Sequence, residues 1–472
     1  MSTPTTRLVT PVLLLAALTV ATAQTIVVAA LPVLGRELGV GAGAATWLLT
    51  AFMLAAGVVT PIAGRLGDLY GHRRVMVICL AALTAGSVLA TLPSFPAVLA
   101  GRIVQGLSAG VFPVTFGLAR GIVPARRLPG VVAGLSATFG VGGALGMVIA
   151  GPVVAVTDGA ALFWLCAVLA AAALAGTRLL PAAAGRRTAG GGPARPDLPG
   201  AALLSGTLVA LLLGISEART WGRPALVLIG VSVLLGVVFL RVESRTADPM
   251  IDVRLLRSPA LAGTNIATAV ISIGMFAAVT VIPRFSQTPP AAAGYGFGDS
   301  PAATGLLLAP TALLMVLTVP LTPRLAARFG SRATFQLGAL LAVLSLGALG
   351  FAHDHRWQFY VLDTVLGAAY GFAFASLGAL VVGAASPSET GAATGINTVL
   401  RTIGGAVGAQ LAAAVLTSAT RAPAALPTES GYVTAFLAAA GVAAVAFAAA
   451  LTIRRPAAAP APDEEPAGLK TP

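Results

Sequence analysis

Charge is scarce in this sequence. Only 10% of its 472 residues are Asp, Glu, Lys or Arg, while 57% are hydrophobic and the mean hydropathy is +0.92. Soluble domains carry about 25% charged residues, so a soluble globular fold is excluded. Cysteine is nearly absent. Cys79 and Cys166 both fall inside apolar runs, with no CxxC and no disulfide framework, and read as small core residues. Lys470 is the one lysine. No nucleophile with a base, metal cluster or paired carboxylates can be picked out, so neither an enzyme nor a cofactor is expected. The short alternating strands of a transmembrane β-barrel are missing too.

What the sequence has instead is a series of long apolar runs, each reaching the roughly 20 residues a helix needs to cross about 30 Å of hydrocarbon. Charge and Gly/Pro punctuation divide it into helices near residues 10–34, 44–63, 75–93, 96–119, 130–156, 159–181, 200–216, 224–240, 259–283, 302–322, 333–351, 358–384, 391–418 and 430–453. This is the pattern of an all-α polytopic membrane protein with fourteen spans. The first run could pass for a signal peptide because only Arg7 precedes it. It is longer than the roughly 7–15 residues of such an apolar core, and it is expected to stay as helix one. The Ala, Gly, Pro and Arg stretch from Pro181 to Gly200 is too poor in large apolar residues to pack, and reads as a linker. The tail beyond Arg455 carries Asp463, Glu464 and Glu465 and is expected to be disordered.

A net charge of +13 and a pI near 11.3 would point a soluble chain toward nucleic acid. Here the arginines sit in pairs and triples between apolar runs, so the implied partner is the lipid bilayer and not nucleic acid. With the N-terminus inside, 21 of the 29 basic residues fall in cytoplasmic loops and tails and 6 in external loops, leaving Arg102 and Arg401 inside helices. That bias follows the positive-inside rule and places both termini in the cytoplasm.

Between the second and third runs lies the densest island of charge and glycine, Gly64-Arg65-Leu66-Gly67-Asp68-Leu69-Tyr70-Gly71-His72-Arg73-Arg74. Gly64 and Gly67 lack a Cβ and allow close helix approach, while Gly71 permits the positive φ of a tight turn. Asp68 is a single carboxylate among basic groups and calls for an arginine or helix-terminal amides as partner, unless it is only a solvated turn residue. The island recurs. Arg65-Leu66 with Tyr70-Gly71-His72-Arg73 matches Arg324-Leu325 with Phe329-Gly330-Ser331-Arg332 at an offset of 259, with Asp68 replaced by Ala327. Gly106 and Gly110 recur as Gly367 and Gly371, an offset of 261, and Gly142-Gly143-Ala144-Leu145-Gly146 recurs as Gly404-Gly405-Ala406-Val407-Gly408, an offset of 262. Two six-helix halves in the same orientation, with a helix pair inserted between them, account for all three offsets. The expected units are 1–181, an inserted 182–257, 258–455 and the tail 456–472.

The island Gly64–Arg74 resembles the signature between the second and third helices of the major facilitator superfamily, and the likeness extends over nearly the whole chain. The best match is the fourteen-helix drug:proton antiporter branch. Arg102-Ile103-Val104-Gln105-Gly106 resembles that branch's motif in helix four, and Ala247-Asp248-Pro249-Met250 and Gln287-Thr288-Pro289 resemble its loops around the ninth helix. The antiporter motif of helix five is degraded to Gly146-Met147-Val148-Ile149-Ala150-Gly151 followed by Pro152. Helix one departs further: the family's Asp-x-Thr-Ile-Val-Asn-x-Ala-Leu-Pro reads here Ala23-Gln24-Thr25-Ile26-Val27-Val28-Ala29-Ala30-Leu31-Pro32, with both polar anchors gone. The resemblance implies a major facilitator fold and secondary active transport by alternating access. It also implies efflux of small organic, drug-like compounds, with proton antiport, across the plasma membrane, and no obligate protein partner is evident. Exporter or facilitator of an anionic metabolite is the alternative reading, and a transporter-like membrane sensor a further one.

Candidate site residues follow from the cost of ionisable groups in a bilayer. Asp363, Arg102 and Arg401, with Gln105, are the candidates for a proton and substrate pathway, since the resemblance puts the first and fourth helices of each half around the central cavity. At an offset of 261, Asp363 occupies the position of Arg102. Gly64, Asp68, Gly71, Arg73 and Arg74 form the candidate gate, and Gly142, Gly146, Gly151 and Pro152 a helix-packing motif. Gly140-Val141-Gly142-Gly143-Ala144-Leu145-Gly146 lies in an apolar helix with no preceding strand and reads as close packing, not dinucleotide binding. His353-Asp354-His355 reads as a short solvated loop without further metal ligands. The topology has a direct check: a cysteine at Gly190 should resist an impermeant thiol reagent added outside, and labelling there would refute the map.

Overall fold

The computed structural model describes residues 4–124, 126–181, 197–246, 249, 251, 253–385, 390–421 and 426–453. Its helices in chain order are α1 Pro4–Thr25, α2 Leu31–Glu37, α3 Ala42–Tyr70, α4 His72–Leu89, α5 Phe95–Gly106, α6 Val111–Ile122, α7 Leu128–Val156 and α8 Ala160–Gly176. They continue with α9 Leu198–Ser216, α10 Ala218–Trp221, α11 Arg223–Glu243, α12 Val253–Arg257, α13 Ala262–Gln287, α14 Pro290–Ala293 and α15 Pro301–Thr318. The last are α16 Leu321–Phe329, α17 Ser331–Phe351, α18 Arg356–Ala384, α19 Thr390–Ser418 and α20 Glu429–Leu451. Eleven helical spans among the described residues are long and apolar enough to cross a membrane, α5 and α6 counting as one through the 3-10 turn Leu107–Gly110. Shorter apolar stretches lie in α3, α7 and α9. The chain is a multi-pass helical membrane protein.

Each expected apolar segment forms helix, and the departures have local causes. Helix one stops at Thr25 instead of continuing to residue 34, because Pro32 has no N–H to give to the preceding turn and Ile26-Val27-Val28 is a β-branched run. The signature stretch is not a loop: residues 64–70 are the last two turns of α3, and only Gly71, at φ 95°, makes the turn into α4. Gly330 repeats this at φ 89° between α16 and α17. A short antiparallel pair, β1 Thr420–Arg421 and β2 Leu426–Pro427, was not foreseen. The linker segment 182–196 and the tail 454–472 lie outside the described residues.

Packing repeats as the sequence does. A Cβ on Gly106 would lie 2.6 Å from the Phe52 carbonyl oxygen, and one on Gly367 2.3 Å from that of Thr311. Phe52 and Thr311 are themselves 259 apart. A Cβ on Gly142 would meet the Leu18 carbonyl at 2.8 Å and one on Gly146 that of Thr22 at 2.6 Å. In the second set, Gly404 meets Ala269 at 2.3 Å and Gly408 meets Ile273 at 2.1 Å, so both pairs on α1 and α13 share an offset of 251. Hydrocarbon gives helices no hydrophobic reason to associate, so backbone contact of this kind supplies the dispersion and Cα–H contacts that hold them.

Across the two sets, α7 packs on α15 and α3 on α19. Gly151 and Pro152 belong to the first of these interfaces, not to packing within the first set. A Cβ on Gly151 would fall 2.0 Å from the Pro301 carbonyl, and one on Gly305 3.3 Å from the Pro152 ring. The pair α9–α11 packs together, with the Ser232 hydroxyl donating to the Thr207 carbonyl at 2.9 Å, and α9 rests on α3 and α19. Leu226, Val227, Val233 and Leu234 of α11 are exposed, as a lipid-facing surface requires.

Glycine contacts of this closeness make a sharp expectation. Gly408→Ala forces the Ile273 backbone to move and should cost about 1–3 kcal/mol or more, whereas Gly347→Ala, with nothing within 4 Å, should leave thermal stability in detergent unchanged or slightly raised. Equal melting temperatures for the two variants would contradict the packing described.

Candidate functional site: a buried polar axis between the helices

Arg102 is completely buried on α5 and its donors are aimed at backbone. Past Thr25, Ile26 still donates to the Thr22 carbonyl, but Val28 donates to Thr25 and Ala30 to Val27. The carbonyls of Ala23 and Gln24 are left at the end of α1. Arg102 takes both, with Nη1 to Ala23 at 2.8 Å and Nη2 to Gln24 at 3.3 Å. Its Nε donates to the Leu48 carbonyl of α3 at 2.7 Å, and its guanidinium lies 4.5 Å above the Phe52 ring. Nη1 also donates to Gln105 at 2.7 Å, while Gln105 donates to Ser87 at 2.8 Å. A cation at the negative end of a helix, bonded to its orphan carbonyls, is a favourable arrangement in low dielectric. Arg102 and Gln105 thus join α1, α3, α4 and α5. Ala23, standing where the resembled branch has Asp, offers its carbonyl in place of a carboxylate.

Asp363 sits at the matching place in α18, 2% exposed. Its carboxylate accepts a short hydrogen bond from Thr311 of α15. Thr311 corresponds to Phe52, so the repeat places a cation–ring contact on one side and a carboxylate–hydroxyl contact on the other. Among the described residues the hydrogen-bond partner of Asp363 is Thr311. Tyr370, two turns along the same face of α18, is 4% exposed, and its hydroxyl has no partner among the described residues. Arg401 is 4% exposed on α19, its guanidinium 5.8 Å from the centre of the Phe374 ring.

A polar stripe that sequence reasoning passed over completes the axis. Thr264, Asn265, Thr268 and Ser272 on α13 are buried against α19. Asn397 of α19 donates to Thr268 at 2.6 Å and to Asn265 at 3.3 Å. Farther along α19, Gln410 donates a short bond to Thr50 of α3, and Gln287 of α13 donates to the Ala29 carbonyl in the broken part of helix one at 3.3 Å. The sign in the sequence was the recurrence of Thr, Asn, Ser and Arg every third or fourth residue in otherwise apolar helices.

At the signature turns, residues serve more as clamps than the sequence implied. The His72 ring, 8% exposed, occupies the space that side chains at Gly67 and Gly117 would fill: a Cβ on Gly117 would lie 2.0 Å from it and one on Gly67 2.9 Å. Gly64 faces Pro113 at 3.4 Å. Arg73 donates to the Thr177 carbonyl just past α8 at 3.1 Å, and Arg332, its repeat, to the Ile453 carbonyl just past α20 at 3.0 Å. Both cap the end of the last helix of their set. Arg74 is exposed. Asp68 lies in the last turns of α3, with its side chain outside the described residues, as are Asp248 and Met250.

Repeated apolar helices, packed through glycine and carrying buried polar groups, define a membrane transporter architecture. The family model of the Major Facilitator Superfamily matches residues 13–289 and 264–471, and the chain belongs to that family. It is 30% identical over 424 residues to the puromycin resistance protein of Streptomyces alboniger, covering 87% of this chain and 82% of that one. It is 28% identical over 407 residues to the probable actinorhodin transporter of Streptomyces coelicolor, covering 81% and 68%. An uncharacterised MFS-type transporter of Mycobacterium tuberculosis is 32% identical over 412 residues, 83% of this chain but only 56% of the length of that relative. Among solved structures, the human organic anion transporter MFSD10 superposes with a TM-score of 0.68 at 19% identity, covering 95% of this chain and all of that one, which shows a shared fold.

Removing Arg102 leaves the Ala23, Gln24 and Leu48 carbonyls buried without their donor. Arg102→Ala should therefore cost about 3–5 kcal/mol or prevent folding, and Arg102→Lys should rescue only partly because an ammonium cannot reproduce the planar fork. Melting temperatures in detergent check this, and a fully stable Arg102→Ala protein would contradict it.

Proposed function

We propose that this protein is a secondary active transporter that exports small organic, drug-like compounds by alternating access. In this reading fourteen helices cross the plasma membrane, with both termini in the cytoplasm. Residues 1–181 and 258–455 form the two six-helix halves, and 182–257 carry the linker and the inserted pair. The signature turns at Gly71 and Gly330 face the cytoplasm. Asp68 helps hold that face closed when the other is open, by pairing across the halves as the family motif implies. The observation that carries the reading is the buried polar axis, with Asp363, Tyr370 and Arg401 inside otherwise apolar helices. The relatives named for puromycin resistance and actinorhodin transport support efflux of bulky organic cargo.

Export of an anionic metabolite is less favoured than the residue count alone implied. Two arginines inside the helices argued for it, but Arg102 is bonded to backbone carbonyls and to Gln105, so its donors are already engaged. The carboxylate of Asp363, paired with a hydroxyl and not with an arginine, is free to exchange a proton without breaking an ion pair. It is the group we assign to proton coupling.

Efflux from proteoliposomes of the purified protein, with and without an imposed proton gradient and across cationic, neutral and anionic compounds, tests the reading. Wild type should show gradient-stimulated efflux of cationic or neutral lipophilic compounds. Asp363→Asn should lose the stimulation and keep substrate exchange. Full gradient-driven efflux by Asp363→Asn would remove the proton role, and failure of wild type to move any of the three classes would remove the transport reading.

A further inference from the structure

His353, Asp354 and Glu429 meet on the face opposite the signature turns, where the turn between α17 and α18 touches the first turn of α20. One ring nitrogen and one oxygen from each carboxylate all lie within 4.8 Å of one another. The run His353-Asp354-His355 alone lacked a further ligand, and the fold supplies it from 76 residues away. The His353 side chain is 10% exposed and stands edge-on to Phe285, 5.6 Å between ring centres. Asp354 and Glu429 are exposed, so the site opens to solvent.

Hydrogen bonding orients the ring. Nδ1 is 2.9 Å from the Leu349 carbonyl oxygen, which can only accept, so Nδ1 carries the hydrogen. Nε2 faces a carboxylate oxygen of Glu429 at 3.1 Å, a contact that takes either a proton or a metal cation between the two atoms. Asp354 brings a second carboxylate to the same point, more negative charge than one N–H can serve. Ligand atoms of a tetrahedral ion with bonds of about 2.0–2.1 Å stand about 3.3 Å apart, close to the 3.1 Å between Nε2 and Glu429. A histidine whose Nδ1–H is held by a backbone carbonyl, with Nε2 turned toward carboxylates, is also oriented as metal-binding histidines are.

We propose that His353 Nε2, Asp354 and Glu429 bind a divalent transition-metal cation of the zinc class, with water filling the remaining position. One imidazole and two carboxylates suit zinc, whereas magnesium and calcium take oxygen ligands throughout. The ion ties the α17–α18 turn to α20. It does so beside the ring cluster of Phe285, Tyr295, Phe297, Phe359 and Tyr432, in which Tyr295 also donates a short bond to the Pro427 carbonyl. Histidine 355 stays apart, because its side chain accepts from the backbone as the N-cap of α18.

Calorimetric titration of tag-free, chelator-treated full-length protein in detergent with zinc chloride, paired with melting curves, tests the site. Wild type should bind one zinc ion per chain and melt at a higher temperature with zinc but not with magnesium. His353→Gln and Asp354→Asn should bind tenfold or more weakly and lose the melting shift, while His355→Gln should retain both. Asp354 is exposed, so its variant decides the matter if His353→Gln fails to fold. No saturable zinc binding by wild type would mean that a proton alone bridges His353 and Glu429, and unchanged affinity in Asp354→Asn would equally overturn the site.

Discussion

Every backbone polar group inside the hydrocarbon needs a partner within the protein, and Arg102 is where that constraint is met by a side chain. Its guanidinium takes up the carbonyls that helix one releases when it breaks before Pro32, and it reaches a carbonyl of α3 with Nε. The break and the arginine need each other. Without the cation the frayed end of α1 would bury bare carbonyls, and without the break the cation would lose two of its three backbone acceptors. Four helices are thereby joined through Arg102 and Gln105, and α1 packs against Gly142 and Gly146.

The second set of helices solves the same packing problem with different chemistry. Its glycines meet the equivalent backbone positions, and Arg332 caps the end of α20 as Arg73 caps α8. At the position of Arg102, however, stands Asp363 with a single hydroxyl partner. One set is pinned by many bonds to backbone. The other carries a lightly held carboxylate, the partnerless Tyr370 hydroxyl and the Thr, Asn and Ser stripe of α13 and α19. An exporter built this way would use the first set as a stable frame and place the titratable chemistry in the second.

The helices were legible in the sequence because hydrocarbon imposes one length and one composition on anything that crosses it. The repeat was legible for a related reason: glycine at Gly106, Gly146 and their counterparts is demanded by backbone contact, and such positions tolerate nothing else. Partners were not legible. Arg102, Asp363 and Arg401 looked alike as buried charges, yet one bonds to three backbone carbonyls, one to a hydroxyl, and one lies by an aromatic ring. Those distinctions depend on which residue of a neighbouring helix lies opposite, and a linear sequence does not carry that register. Glu429, which completes the cluster at His353, is hidden in the same way, as is the helical state of residues 64–70, where glycine and charge mimic a loop.

In the transport reading proposed above, the two halves rock about the α3–α19 and α7–α15 interfaces, opening one face as the other closes. Spin labels at Arg74 and Arg328, exposed at the two signature turns, report one face, and labels at Ser94 and Trp357, exposed at the starts of α5 and α18, report the opposite face. Distance distributions measured by pulsed electron resonance with and without substrate should change reciprocally, one pair separating as the other approaches. Distributions that stay fixed on both faces, or that widen together, would contradict alternating access.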